Sequence, residues 1–400
     1  MRILYIHQYF KTPKEPGGTR SYWFARKLIE NGFHVTMVTG RGVQKKLIEH
    51  VEVDEISVIY IRNPYSNDMG VLRRFISFVR FMFLSTYISL KQKNIQLVFA
   101  TSTPLTVGFP ALMLKWIKKI PFVFEVRDLW PEVPIQMGGI NNSILKKIAI
   151  WFEKLIYKNA KHIIALSPGM KEGVISRGID EGKVSMIPNM SKIDKFWKRE
   201  KNAAIAKEFG IDLNKFNVIH FGTMGIANGL DYIINAAKFL RDDGIDDINF
   251  ILLGKGGVKD SLVKATKENN LQSVIFIDAQ PMSIVSEIVN LCDVSIVPFK
   301  NIPILQTNSP NKLFDSLSAG IPIIVNSAGW TKKLVEEFHC GVYVDPEMPD
   351  SLATELVKLQ QNSTLLEEMS VNARTLAENK YDKSILCQQY IDVIKELQNV

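Results

Sequence analysis

A chain of 400 residues exceeds the roughly 250–300 at which one hydrophobic core stops growing, so two domains are expected. A content of 46% hydrophobic and 22% charged residues excludes a disordered polyelectrolyte. The net charge of +8 admits nucleic acid, an anionic membrane or anionic substrates as partners, but no zinc-finger or RNP-type aromatic motif accompanies it, which argues against nucleic acid.

The chain opens with Met1-Arg2 running straight into an apolar stretch at 3–6. That run is too short for the apolar region of a cleavable signal and reads as a first strand. Cys292, Cys340 and Cys387 have no redox or metal-ligand spacing and the six histidines form no zinc pattern. Reduced, cytoplasmic thiols are the simple expectation.

After the first strand, a Pro/Gly-rich loop leads through Gly17-Gly18-Thr19-Arg20 to a helix at 21–31 and a strand at 35–39. This β-loop-α-β order places small residues where a loop approaches a ligand closely, although Gly17 and Gly18 also suit an ordinary turn. No G-x-G-x-x-G fingerprint is present, so a nicotinamide cofactor is not indicated.

Residues 71–93 combine aromatic and aliphatic residues with five basic residues and no acid. Arg80 interrupts the apolar run short of the ~20 residues that span a bilayer. Two readings stay open: a basic, aromatic helix lying in a membrane interface, and a core helix whose arginines snorkel outward. A second basic stretch follows at 145–158, with Trp151 and Tyr157 among its lysines.

Strands at 97–101 and 122–126 come next, the latter ending in Arg127-Asp128-Leu129-Trp130-Pro131-Glu132. Charged residues directly after an apolar strand lie at the carboxyl edge of a parallel sheet, where ligands bind. Asp128 can orient a hydroxyl, take its proton or steady positive charge. Arg127 can pair with phosphate or with Asp128, and Trp130 offers a flat face to a sugar ring. A salt-bridged structural corner is the alternative.

After a strand at 162–166 and a helix begun by Ser167-Pro168, the polar segment 192–204 reads as an interdomain linker. The second half again opens strand, glycine loop, helix: 216–221, then Gly222-Thr223-Met224-Gly225-Ile226-Ala227-Asn228-Gly229. Such a turn can present backbone N–H groups to a phosphate. A strand at 249–253 ends in Gly254-Lys255-Gly256-Gly257, with Lys255 a second candidate cation. Asp293 precedes a strand at 294–298 and reads as structural.

Ser309-Pro310-Asn311-Lys312-Leu313-Phe314-Asp315 then reads as a loop feeding a helix that Gly320 stops and Pro322 cannot continue. A helix start with its free N–H groups favours a phosphate, and Lys312 adds a full charge there. Asp315, one turn on, can accept hydrogen bonds from the two hydroxyls of a ribose. A nucleoside diphosphate fits these features; an ordinary surface helix is the alternative. The tail, 380–400, patterns as an amphipathic helix with Leu386, Tyr390, Val393, Ile394 and Leu397 on one side.

The Arg127-Asp128-Leu129-Trp130-Pro131 and Pro310-Asn311-Lys312-x-x-Asp315 motifs resemble those of the retaining family 4 glycosyltransferases. The closer resemblance is to the bacterial subgroup that adds sugars, often N-acetylfucosamine, to O-antigens and capsules. It covers nearly the full length and implies the α/β GT-B fold: two doubly wound Rossmann-like domains facing each other across a cleft. The implied boundaries are 1–192 for the acceptor domain and 193–380 for the nucleotide-sugar domain, with a helix at about 381–400 returning to the first.

The resemblance further implies that Gly17 and Gly18 reach the donor's diphosphate and that Lys255 passes near the nucleotide. Gly222, Thr223, Gly225, Pro310, Asn311 and Asp315 would bind the donor, with Asp128 and Lys312 at the reacting centre and Arg127 and Trp130 on the sugar or acceptor. Asp315 stands where Glu is usual, and the first acid of the family's pair falls at Thr307. The Arg and Lys that many relatives carry between Gly222 and Gly229 are absent. No Asp-x-Asp motif occurs, so neither a metal nor a cofactor is expected.

The expected reaction moves an N-acetylated hexose or deoxyhexose from a UDP-sugar to a polyprenyl-diphosphate-linked glycan. The enzyme would work in the cytoplasm, peripheral on the anionic inner face of the membrane. A nucleotide-sugar 2-epimerase and an inactive nucleotide-sugar-binding scaffold share the fold and remain alternatives.

Overall fold

A computed structural model describes residues 1–66, 69–348 and 350–398, with Val71 described by its backbone alone. It separates into two compact units: Met1–Thr12 with Gly18–Pro188 and Ser384–Val400, and Pro13–Gly17 with Asn189–Lys383.

The first unit holds eight strands, β1 (Arg2–Ile6), β2 (His34–Arg41), β3 (Ile48–Val53), β4 (Ile56–Arg62), β5 (Leu97–Thr101), β6 (Phe122–Val126), β7 (His162–Ala165) and β8 (Val184–Met186). They form one sheet in the order β3-β4-β2-β1-β5-β6-β7-β8, parallel except for β3. Its helices are α1 (Arg20–Glu30), α2 (Val71–Lys91), α3 (Gly108–Lys118), α4 (Glu132–Gln136), α5 (Ser143–Asn159) and α6 (Pro168–Ser176).

Parallel strands are covered on both faces, so they read as continuous apolar runs; β5 and β6 are buried throughout. The exception within β6 is Glu125, which meets Arg20 of α1 at 2.8 Å. That guanidinium also donates to the Ile187 carbonyl at 2.7 Å and to the Pro188 carbonyl, and lies over the Phe24 ring. The β3–β4 hairpin escaped the sequence analysis. Its turn residues Asp54 and Glu55 both have positive φ, 46° and 65°, and β3 is an edge strand without a buried residue, so no apolar run marks it.

The second unit holds β9 (Phe216–Thr223), β10 (Ile248–Lys255), β11 (Val274–Ile277), β12 (Val294–Val297), β13 (Ile323–Val325) and β14 (Gly341–Tyr343), in a parallel sheet of order β11-β10-β9-β12-β13-β14. Its helices are α7 (Ala203–Glu208), α8 (Asp231–Asp242), α9 (Lys259–Glu268), α10 (Met282–Asn290), α11 (Asn311–Ala319), α12 (Trp330–Glu337), α13 (Ser351–Gln360) and α14 (Ser363–Leu376).

Residues 192–204 do not form a free linker. Lys192 N–H donates to Ser318 Oγ at 2.9 Å, the neighbouring Ser191 hydroxyl to the Phe314 carbonyl at 3.0 Å, and Phe196 is buried with Ile219 and Phe221. A polar sequence reads as a linker here because its backbone is held by side chains rather than by a strand ladder.

The last helix, α15 (Lys383–Glu396), begins three residues later than the pattern suggested, because residues Ala377–Tyr381 form a π-helical turn at the end of α14. Within the first unit its Tyr390 stacks on Phe24 at 4.1 Å. Residues 399 and 400 of the expected tail lie outside the described residues. Among the described residues, no helix is long and apolar enough to cross a membrane.

Candidate active site

In the second unit, the carboxyl ends of β9 and β10 lie side by side, with Gly222 opposite Gly254 and Thr223 opposite Lys255. Gly254 has φ +145°, and a Cβ there would stand 1.8 Å from the Gly222 carbonyl oxygen. Glycine is therefore what allows these two loops to approach. Gly222 and Thr223 are exposed at this open end, and Gly225 precedes the short 3-10 turn Ile226–Asn228.

Helix α11 points its start at the same place. Pro310 occupies the N-cap and no side chain caps the first turn, which leaves its N–H groups for a ligand apart from that of Leu313, which donates to the Pro310 carbonyl at 3.1 Å. Gly320, at φ +64°, stops the helix as its position suggested. Asn311 begins the helix, and the Lys312 side chain extends to β9. Its ammonium lies 3.2 Å from Nε2 of His220 and 3.4 Å from Oδ1 of Asn228. A Cβ built on Gly222 would touch its Cε at 3.7 Å. Asn228 is itself oriented by donating to the Thr223 carbonyl at 2.7 Å.

Desolvation pushes the Lys312 pKa down to about 7. Burial also holds His220 well below the usual imidazole range, with Lys312 adding to the effect, so the imidazole is neutral and Nε2 accepts from the ammonium. Among the described residues Lys312 is thus a cation without an anionic partner, aimed at exposed glycine backbone. Lys255, by contrast, is exposed and further toward solvent.

Asp315 lies one turn along α11, and Oδ1 forms an ion pair with Lys192. Burial raises the Asp315 pKa and Lys192 opposes that rise. One of its two oxygens is thereby engaged by a cation that the sequence analysis had left in a linker.

The first unit gathers a second cluster at the carboxyl edge of its sheet. Asp128 follows β6 and accepts from the Thr103 hydroxyl at 3.1 Å. Burial raises its pKa against the lowering effects of that bond and of Arg127. Arg127 turns to His7 rather than to Asp128: its guanidinium donates to Nε2 at 3.2 Å, and its backbone N–H donates to Ser102 Oγ at 3.0 Å. A guanidinium cannot accept, so His7 carries its proton on Nδ1 and donates to Ser21 Oγ at 2.8 Å. Burial and then Arg127 keep that imidazole neutral.

Trp130 meets Phe78 of α2 edge-on at 6.0 Å, and the row continues through Tyr65 at 5.7 Å to Tyr9 at 4.7 Å. Gly17 is exposed with φ +135°, and Gly18 is half-buried just before α1.

His7, Thr103, Lys192, His220 and Asn228 were not singled out from the sequence. For the histidines a signal existed: His7 directly follows the apolar run 3–6 and His220 sits within the run 218–221, each in or just after the first strand of its unit. A polar ring there is directed at the carboxyl edge.

Residues 17–190 match the glycosyl transferase 4-like domain and residues 201–376 match glycosyl transferases group 1. The chain is 26% identical over 282 residues to the putative colanic acid biosynthesis glycosyl transferase WcaI of Escherichia coli K12, covering 68% of this chain and 67% of that one. Sucrose-phosphate synthase from Thermosynechococcus elongatus has a similar structure, with a TM-score of 0.80 at 16% identity over 100% of this chain and 99% of its own. Anabaena Alr3699/HepE, solved with UDP and glucose, gives 0.72 at 18% over 98% and 99%. The fold is GT-B, built from two Rossmann-like α/β domains with parallel sheets.

Proposed function

The chain carries a glycosyl transferase 4-like domain followed by a group 1 glycosyl transferase domain, and from that premise we propose that it transfers a sugar from a UDP carrier to a polyprenyl-diphosphate-linked glycan during assembly of a bacterial surface polysaccharide. The observation that carries this reading is the Lys312 ammonium, held by His220 and Asn228 over Gly222 at the uncapped start of α11.

Breaking a glycosyl–phosphate bond leaves a diphosphate and an oxocarbenium-like sugar. A preorganised ammonium and helix N-terminus stabilise the first as its charge develops. Asp128 serves the acceptor side, orienting the incoming hydroxyl and taking its proton. Without an assigned protein nucleophile, attack proceeds on the face the leaving group departs from, which retains configuration. Lys312 supplies positive charge of its own, so turnover is expected to persist in a chelator. UDP as the carrier is supported by the UDP-bound HepE relative, and the surface polysaccharide by the name of the colanic acid relative. The donor sugar proposed from the motif resemblance is an N-acetylated hexose or deoxyhexose such as N-acetylfucosamine.

The test is UDP release from a panel of UDP-sugars with and without a short polyprenyl-diphosphate-linked acceptor, with mass spectrometry of the lipid. Acceptor-dependent release with the mass gain of one sugar supports the proposal. Product inverted at C2 without acceptor identifies an epimerase, and binding without turnover a scaffold; either overturns it.

A further inference from the structure

Helix α2 is apolar on both sides: Phe81 and Ile88 are buried in the unit, yet large apolar side chains also face outward. Ser77, Ser85 and Ser89 face the interior, while Leu72, Phe75, Ile76, Phe83 and Tyr87 are exposed. Leu72, Ile76, Phe83 and Tyr87 recur at helical spacing, so they form one stripe, and Leu72 is 71% exposed. The outer side of a water-facing helix ordinarily carries polar residues; single exposed apolar residues would need no explanation, but a stripe of them does.

The stripe does not stand alone. Helix α3 packs against both α2 and α5. Phe83 meets Phe109 at 6.2 Å on one flank, and on the other Ile156 sits so close to Gly108 that a Cβ there would lie 2.4 Å from it. Across this three-helix surface α3 exposes Trp116 and Ile117, and α5 exposes Ile144, Ile148 and Trp151, the last at 62%. Trp151 and Ile148 follow Ile144 at i+7 and i+4, so they too share a face.

The charges around these side chains have one sign. Arg73, Arg80 and Lys91 are exposed on α2, and Lys118 and Lys119 at the end of α3. On α5, Lys147, Lys154 and Lys158 are exposed. The acid within the three helices, Glu153, is buried and bonded to Arg177 at 2.8 Å. Apolar side chains protruding among exposed cations, with no exposed acid on the helices, match a bilayer of anionic lipids, whose headgroups attract the cations while its acyl boundary takes the rings. A protein partner of ordinary composition would meet unpaired like charges.

We infer that the face formed by α2, α3 and α5 docks on an anionic lipid bilayer. Phe78, on the side of α2 turned away from the stripe, meets Trp130, so the loop carrying Asp128 lies behind the helix that docks. Docking therefore holds the acceptor loop one helix diameter, roughly 10 Å, from the membrane on which a lipid-linked hydroxyl is presented. That last consequence rests on the acceptor proposed above; the docking itself does not.

The experiment is cosedimentation of the full chain with vesicles of phosphatidylglycerol and phosphatidylethanolamine, against vesicles of phosphatidylcholine alone, at low and high salt. Binding to the anionic vesicles, weakened by salt, is expected. The double variant Arg73→Glu/Arg80→Glu should lose about tenfold or more in affinity, and Ile76→Asp/Trp151→Asp should lose binding while keeping the wild-type circular dichroism and UDP affinity. No binding to anionic vesicles, or equal binding to both vesicle types, overturns the inference. So does a lipid-free dimer in light scattering that the Ile76→Asp/Trp151→Asp variant dissociates, since a second copy then covers the face. Vesicle binding without transfer to any polyprenyl acceptor would count against the acceptor and leave the docking face standing.

Discussion

The ammonium of Lys312 lies 3.2 Å from Nε2 of His220, two residues that stand on α11 and β9. Burial of that ammonium makes the donor side pH-sensitive. With its pKa pushed down to about 7, Lys312 is charged below that pH and neutral above it in the unliganded protein. Loss of the Lys312 charge should therefore raise the Kd of UDP above about pH 7, by up to tenfold per unit, while below that pH only the terminal phosphate of UDP, with its second pKa of about 6, still titrates. Calorimetric titration across this range measures it. Lys312→Arg keeps its charge throughout and should flatten the rise; a wild-type Kd flat from about pH 6 to about pH 9 would exclude Lys312 as the titrating group.

The same depression has the opposite effect on stability. A lysine whose folded pKa lies below its unfolded value binds fewer protons when folded, so its penalty is full below about pH 7 and relieved as pH rises toward the ordinary lysine range. Lys312→Met should therefore raise the melting temperature of the unliganded protein more at pH 6 than at pH 9. An equal change at both would show that the ammonium is not desolvated.

Asp128→Asn should lower kcat by about a hundredfold or more with little change in UDP affinity, because Asp128 belongs to the first unit and Lys312 to the second. Burial raises the Asp128 pKa, so the wild-type rate should fall on the acid side as the carboxylate is protonated, and Asp128→Asn should abolish that limb. Steady-state kinetics across pH would detect a retained acid limb, which would reassign it.

Lys192→Met leaves Asp315 half-buried without its cation. Loss of one partner of such a pair costs about 3 kcal/mol or more, and the double variant with Asp315→Asn should recover much of it. Urea denaturation of the two variants checks this. Simple additivity would mean that the two side chains do not interact.

Much of the architecture was legible because parallel strands are buried on both faces. The apolar runs at β1, β5, β6 and β10 mark strands, and Gly320 marks the end of α11. The β3–β4 hairpin was not read: β4 does carry the buried run 58–61, but its edge partner β3 has no buried residue to mark it. In the site, Lys312 stands out because it opens a helix after a loop. Its partners His220 and Asn228 lie 92 and 84 residues away, and their approach depends on strand register and on glycines that let β9 and β10 close up. Lys192 was hidden for a different reason. Its surroundings are polar, and neither period nor composition reveals a segment whose Lys192 N–H is held by Ser318 and whose Ser191 hydroxyl donates to the Phe314 carbonyl.

The central claim is that Lys312, seated by His220 and Asn228, holds the donor diphosphate. The most direct measurement is calorimetric titration of UDP and of uridine into the wild type and Lys312→Ala near pH 6.5. The account predicts that UDP binds the wild type at least about tenfold more tightly than Lys312→Ala, as expected for loss of a charge-assisted contact, while uridine binds both alike. Equal UDP affinity in the two proteins would contradict it.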